Sequence, residues 1–118
     1  MKRLLLVFAA IAALSGATAA FAASSAGTTA RLVRVTSPAR RNSYATLVAR
    51  VVPARRCTIA VLYKSGPSVA EGLSPERPVD GRVSWTWKVG GNTTLGSWPI
   101  KVSCGSAGSF RTHFRVIR

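Results

Sequence analysis

Between Arg82 and Lys88 the side chains alternate strictly. Val83, Trp85, Trp87 and Val89 fall on one parity, and Arg82, Ser84, Thr86 and Lys88 on the other. This is the period of a β-strand with one buried face and one wet face. After the Gly90-Gly91-Asn92 break and Gly96, the alternation resumes with Trp98, Ile100, Val102 and Cys104 against Pro99, Lys101 and Ser103. Upstream, Ala45, Leu47, Ala49 and Val51 alternate with Tyr44, Thr46, Val48 and Arg50. Cys57, Ile59, Val61 and Tyr63 alternate with Thr58, Ala60, Leu62 and Lys64. Phe110, Thr112, Phe114 and Val116 alternate with Arg111, His113 and Arg115, and a first strand carries Val33 and Val35, ending at Ser37-Pro38. The pattern predicts six to seven strands and no helix beyond residue 22, an all-β antiparallel sandwich.

The indoles of Trp85, Trp87 and Trp98 on inward positions require a thick apolar layer opposite them, since each offers about 150–250 Å² to bury. Small Ala45 and Ala49 leave room for such rings. From Ser65 to Asp80 the alternation stops, and three prolines and two glycines mark a long crossing loop with room for one short strand. Gly66-Pro67-Ser68 reads as its exposed tip.

Residues 1–22 have the makeup of an export signal. Lys2 and Arg3 are followed by the apolar run from Leu4 to Leu14 and by Ala20-Phe21-Ala22, a small-x-small cleavage site. The competing reading, a membrane anchor, needs about 20 apolar residues, more than this run offers. A flexible polar lead-in over 23–30 then precedes a domain over 31–118. A domain of this size buries only about two-thirds of its unfolded surface, so covalent support matters. In an oxidising compartment Cys57 and Cys104, the only cysteines, have one intramolecular pairing open to them, the alternative being two free thiols. Cys57 opens the third long strand and Cys104 closes the penultimate one, so antiparallel neighbours would bring the two ends together. In an immunoglobulin constant-type arrangement the third, penultimate and last strands form one sheet, and the first, second and tryptophan-rich strands the other.

The runs CTIAVLYKSGPSVAEGL and GRVSWTWKVGGNTTLGSWPIKVSC resemble secreted immunoglobulin-like β-sandwich domains of actinobacteria and related bacteria, which share a C-x-I-x-V-x-Y-K-S-G-P-S segment followed by W-T-W-K-V and W-P-I-x-V-x-C. The likeness spans about Leu32 to Arg118. It implies an immunoglobulin-like fold with an extracytoplasmic address. No tryptophan lies on the third strand and no tyrosine stands two places before Cys104, so antibody-like recognition does not carry over.

Charge adds a functional direction. The formal net charge is +14, with only Glu71, Glu76 and Asp80 as acids. Such a field favours anionic partners such as wall polymers, nucleic acid or phospholipid headgroups, and with the export signal it points to an anionic envelope polymer or an extracellular protein, although an arginine-rich composition can also arise without selection for binding. Outward Lys64, Lys101, Arg111, His113 and Arg115 form a candidate anion-binding face, and Arg34, Arg50, Arg82 and Lys88 make the opposite face basic as well. Aromatics for stacking on bases are mostly committed to the core, which argues against sequence-specific nucleic-acid recognition. No catalytic constellation assembles: His113 is the only histidine and the acids are remote from it in sequence. The acids match no calcium-loop spacing, and the cysteines are better used in a disulfide than on zinc. The chain therefore reads as a non-enzymatic binding or structural module without cofactor or metal. The alternative is a small secreted enzyme or enzyme inhibitor acting through the Ser65–Asp80 loop.

Overall fold

The computed structural model describes residues 27–118. The expected export signal over 1–22 and the first half of the lead-in, 23–26, lie outside the described residues. Among the described residues there are eight strands: β1 (Thr29–Val35), β2 (Ala39–Arg40), β3 (Tyr44–Val52), β4 (Thr58–Tyr63), β5 (Gly66–Pro67), β6 (Arg82–Lys88), β7 (Gly96–Ser103) and β8 (Ser109–Ile117). They form a three-stranded sheet ordered β1-β3-β6 and a five-stranded sheet ordered β2-β8-β7-β4-β5. The six long strands are divided between the sheets as the constant-type arrangement implied, and β4 neighbours β7 as the cysteine positions implied. All long-strand pairings are antiparallel, while short β2 joins β8 in parallel.

The inward parity of each long strand supplies the core. Leu47, Val51, Val83, Trp85 and Trp87 from one sheet are buried together with Val61, Ile100, Val102, Phe114 and Val116 from the other, and Ile59 and Phe110 pack at the margin. Ala45 stands directly across from Trp87 and Ala49 across from Val83, so a small side chain in β3 makes space for a large one in β6. Across the sheets, the Trp87 and Phe114 rings meet edge to face at 5.6 Å, an arrangement that satisfies the aromatic quadrupole.

Buried indoles need partners for their N–H groups. Trp85 Nε1 donates to the Ser74 carbonyl at 2.9 Å, and Trp87 Nε1 donates to the Tyr63 hydroxyl at 3.3 Å. Trp98 departs from expectation: it lies on the inward parity of β7 but is only half-buried, and its Nε1 donates to the exposed Thr94 carbonyl at 2.8 Å. It sits near the end of the sandwich, two residues from the first residue of β7, where the layers no longer cover it fully.

The disulfide joins Cys57 to Cys104. The adjacent pair, Thr58 and Ser103, is in register between β4 and β7, so the bond clamps neighbouring strands at one end of a sheet. The link closes a loop with a sequence separation of 47, and loop-closure entropy assigns it about 4 kcal/mol.

Two strand expectations need correction. Strand β1 begins at Thr29, inside the segment read as lead-in, and its register slips between Leu32 and Arg34. This β-bulge inserts Val33 as an extra residue and reverses the parity. Ala30, Leu32 and Val35 therefore face the core, while Val33 is exposed. Secondly, Ala39–Arg40 is not simply a turn: Ala39 is buried opposite Val116 as the chain changes sheets after Pro38.

Candidate functional site

The strands place cations on both outer faces of the sandwich. On the five-stranded sheet, Lys101 and Arg111 are direct cross-strand neighbours. His113 stands opposite Pro99 and Arg115 opposite Ser97, and all four candidate side chains are exposed. Successive outward residues of β8 are about 7 Å apart, so Arg111, His113 and Arg115 form a line along one strand. Exposed Lys64 lies beyond the registered β4–β7 pairs, which end at Val61 and Ile100. It follows the end of β4 and lines a separate open cleft of about 360 Å³ with Tyr63, Ser65 and residues 90–94.

Tyr63, a half-buried residue lining that cleft, has a hydroxyl that accepts from the buried Trp87 indole. Burial pushes its pKa up from the ordinary 10.0, against the smaller opposing effect of the Trp87 hydrogen bond. The phenol is thus a neutral donor at physiological pH.

The three-stranded sheet carries a tighter grouping. Arg31 pairs in register with Arg50, and Arg50 with Arg82, so one exposed arginine on each strand forms a row across the whole sheet. Arg34 stands opposite Val48 one level along, and Lys88 opposite Tyr44 at the far end. Val48 is on this outer face yet only 7% exposed, consistent with its position in the central strand between Arg34 and Ser84. Arg31 escaped the sequence analysis because it fell at the boundary between the expected lead-in and the first strand. Extending the alternation of Ala30 and Leu32 back through Arg31 would have found it.

None of the eight strands contains an acidic residue; Glu71, Glu76 and Asp80 all lie in the connection between β5 and β6. That connection is pinned rather than free. Gly66–Pro67 pairs with Leu62 and Tyr63 as β5, so the expected tip is an edge strand on which Pro67 alone is exposed. Gly72 presses on the Thr86 carbonyl, Ser74 receives the Trp85 indole, and Glu76 exchanges two backbone hydrogen bonds with Cys57 at 2.8 and 3.0 Å. Val79 and Arg82 exchange a further pair around Asp80-Gly81, both at positive φ. Asp-Gly is a strong signal for such a two-residue hairpin turn, and it was present in the sequence. The residue that projects is Val69, at 97% exposure, while the Ser68 hydroxyl accepts from the Ala70 amide at 3.2 Å.

Among the described residues no three His, Cys, Asp or Glu side chains gather into a metal-binding group. Nor is any helix among them long and apolar enough to cross a membrane. What the arrangement offers chemically is cationic hydrogen-bond donors on the outer faces of both sheets, with the carboxylates set apart in one connection. Compared with known proteins, the chain matches no family model and no curated sequence.

Proposed function

We propose that this chain is an exported, non-enzymatic immunoglobulin-like module that attaches to an anionic envelope polymer or an acidic extracellular partner through its basic sheet faces. The observation that carries the reading is the segregation of charge: every strand lacks acids, and the three carboxylates share the β5–β6 connection. The export-signal makeup of residues 1–22 supports an extracytoplasmic site of action. Attachment of this kind is electrostatic and weakens as salt shortens the screening length. Retention of the processed domain on isolated cell wall or an anionic polymer resin should fall steadily between 50 and about 500 mM salt, as the Debye length drops several-fold. Retention indifferent to ionic strength refutes the electrostatic attachment.

One observation favours a second reading, an inhibitor-like or partner-docking role for the Ser65–Asp80 loop. Val69 projects from a segment held at both ends, and a preorganised projecting residue costs little entropy to dock. Because the loop supplies Ser74 to Trp85, replacing all of it would disturb the core. Val69→Asp is the cleaner test: lost capture of a protein partner with unchanged polymer retention favours the loop, and unchanged capture excludes it.

A further inference from the structure

We infer that the Arg31–Arg50–Arg82 row is a binding site for the phosphates of a linear phosphodiester polymer. The inference rests on the envelope-binding reading above and gives that reading one face, one chemical group and one set of residues.

The backbone fixes how closely the three side chains stand. Both backbone polar groups of Arg82 bond to Val79, the amide donating at 3.0 Å and the carbonyl accepting at 2.8 Å. They are therefore turned away from β3, and Arg50–Arg82 is a non-hydrogen-bonded pair, the type in which facing Cα atoms come within about 4.5 Å. The Arg50 backbone groups point to β1, making Arg31–Arg50 the wider pair at about 5.5 Å. The row thus spans about 10 Å across the strands. Like charges placed directly opposite one another weaken a sheet, and arginine cannot relieve the repulsion by losing its proton. A row of three such charges is costly in the free protein and is favoured once an anion lies over it.

The residue type and surface shape select the anion. All three positions are arginine, whose planar fork matches two phosphate oxygens at once, whereas lysine acts as a point charge. The row is straight and lies on an open sheet face, so no single small anion could occupy it end to end or be enclosed there. A chain with repeated phosphates laid across the strands meets a guanidinium at each one. Arg34, a level further along β1, widens the same patch. The row and its cross-strand neighbours Val48, Ser84, Thr46 and Thr86 include no aromatic ring for base stacking, and exposed Tyr44 lies six residues along β3 from Arg50. This favours a polyol-phosphate chain over nucleic acid. The nearby carboxylate in sequence is Asp80, on the turn beside Arg82. A terminal nitrogen of Arg50 lies 3.9 Å from the point where a Cβ on Gly81 would stand, so the Arg50 fork reaches over that same turn.

The test measures binding of the processed domain to poly(glycerol phosphate), to a polycarboxylate of matched charge density and to single-stranded DNA. It compares wild type with two variants of equal charge loss: Arg31→Thr/Arg50→Thr/Arg82→Thr, and Lys101→Thr/Arg111→Thr/Arg115→Thr. The row variant should lose at least tenfold in affinity for poly(glycerol phosphate), and its salt dependence should flatten by about two to three in log–log slope. The other variant should lose less than threefold. Arg31→Lys/Arg50→Lys/Arg82→Lys should keep polycarboxylate binding while losing its preference for phosphate. Asp80→Asn, which keeps a residue tolerant of positive φ in the turn, should tighten phosphate binding about twofold. The row variant should melt no lower than wild type, because repulsion is removed, and that separates lost binding from lost folding. Equal losses in the two threonine variants overturn the site and leave general electrostatic attachment standing. A preference of wild type for DNA overturns the polymer assignment, and no binding by wild type to any polyanion removes both the site and the proposed function.

Discussion

Replacing Tyr63 by Phe tests how the core satisfies one of its two largest buried side chains. The ring keeps its place, and its centroid 6.0 Å from that of Phe114 can be preserved, but the hydroxyl that receives the Trp87 indole N–H at 3.3 Å is removed. Trp87 is fully buried, so the stranded donor bears its own desolvation cost. An unsatisfied buried donor costs about 1–3 kcal/mol, and the length of this bond places the expectation at about 1–2 kcal/mol. With a urea m-value near 1.5 kcal/mol/M, the unfolding midpoint should fall by roughly 1 M. Urea titration monitored by tryptophan emission measures it, and repeating the substitution on a Trp87→Phe background isolates the hydrogen bond, because there the donor is absent and Tyr63→Phe should cost little. Equal costs on the two backgrounds would refute the role assigned to the hydroxyl. Burial also holds the folded-state pKa of Tyr63 above its ordinary 10.0. The stabilisation tied to the neutral phenol is therefore complete below pH 10.0 and is lost as pH rises through the folded value. The difference between wild type and Tyr63→Phe should accordingly narrow in strongly alkaline solution.

Gly72→Ala should destabilise the domain by about 2–4 kcal/mol in the same urea assay. Its φ of +94° disfavours an L side chain, and the added Cβ would collide with the Thr86 carbonyl, a backbone atom that cannot swing aside. Substituting both Cys57 and Cys104 with alanine should cost up to about 4 kcal/mol, the loop-closure value, and a mass change on alkylation of the unreduced protein would instead show free thiols. Acrylamide should quench the half-buried Trp98 while sparing Trp85 and Trp87, so Trp98→Phe should remove most of the quenchable emission. Equal quenching of all three indoles would contradict the burial described above.

Strict alternation made β6, β7 and β8 legible, because each turns one parity into a single dry layer and a one-residue slip would expose the whole set. The cysteine positions pointed to β4 and β7 as neighbours, the constant-type strand arrangement supplied the rest of the sheet membership, and the buried set from Leu47 to Phe114 followed. The same logic failed at Val33, where a bulge breaks the period without leaving a glycine or proline to announce it. It also failed at Trp98, whose parity is inward but whose height along the sandwich places it near the rim. Parity reports which face a residue takes and says nothing of how far along the layer the cover extends. The anchoring of the Ser65–Asp80 connection depends on contacts with Trp85, Thr86 and Cys57, which are remote in sequence and leave no local mark beyond Asp80-Gly81. Among the candidate residues, the outward positions on β7 and β8 were readable strand by strand. The arginine row required the registers of three strands at once, and Lys64 lies one residue past the end of β4.

The glycine at position 72 has a consequence for how copies of this protein behave when concentrated. The amide of Thr46 bonds to the Thr36 hydroxyl and its carbonyl accepts from the Thr36 amide, so Thr46 spends its backbone on the β1 side and the Thr86 carbonyl points outward from the sheet margin. Gly72 lies against that carbonyl, and Val79 occupies the same margin at Arg82. A neighbouring molecule seeking to extend the sheet there by strand addition meets an already tenanted border, which guards that side of a domain whose regular structure is mainly strand.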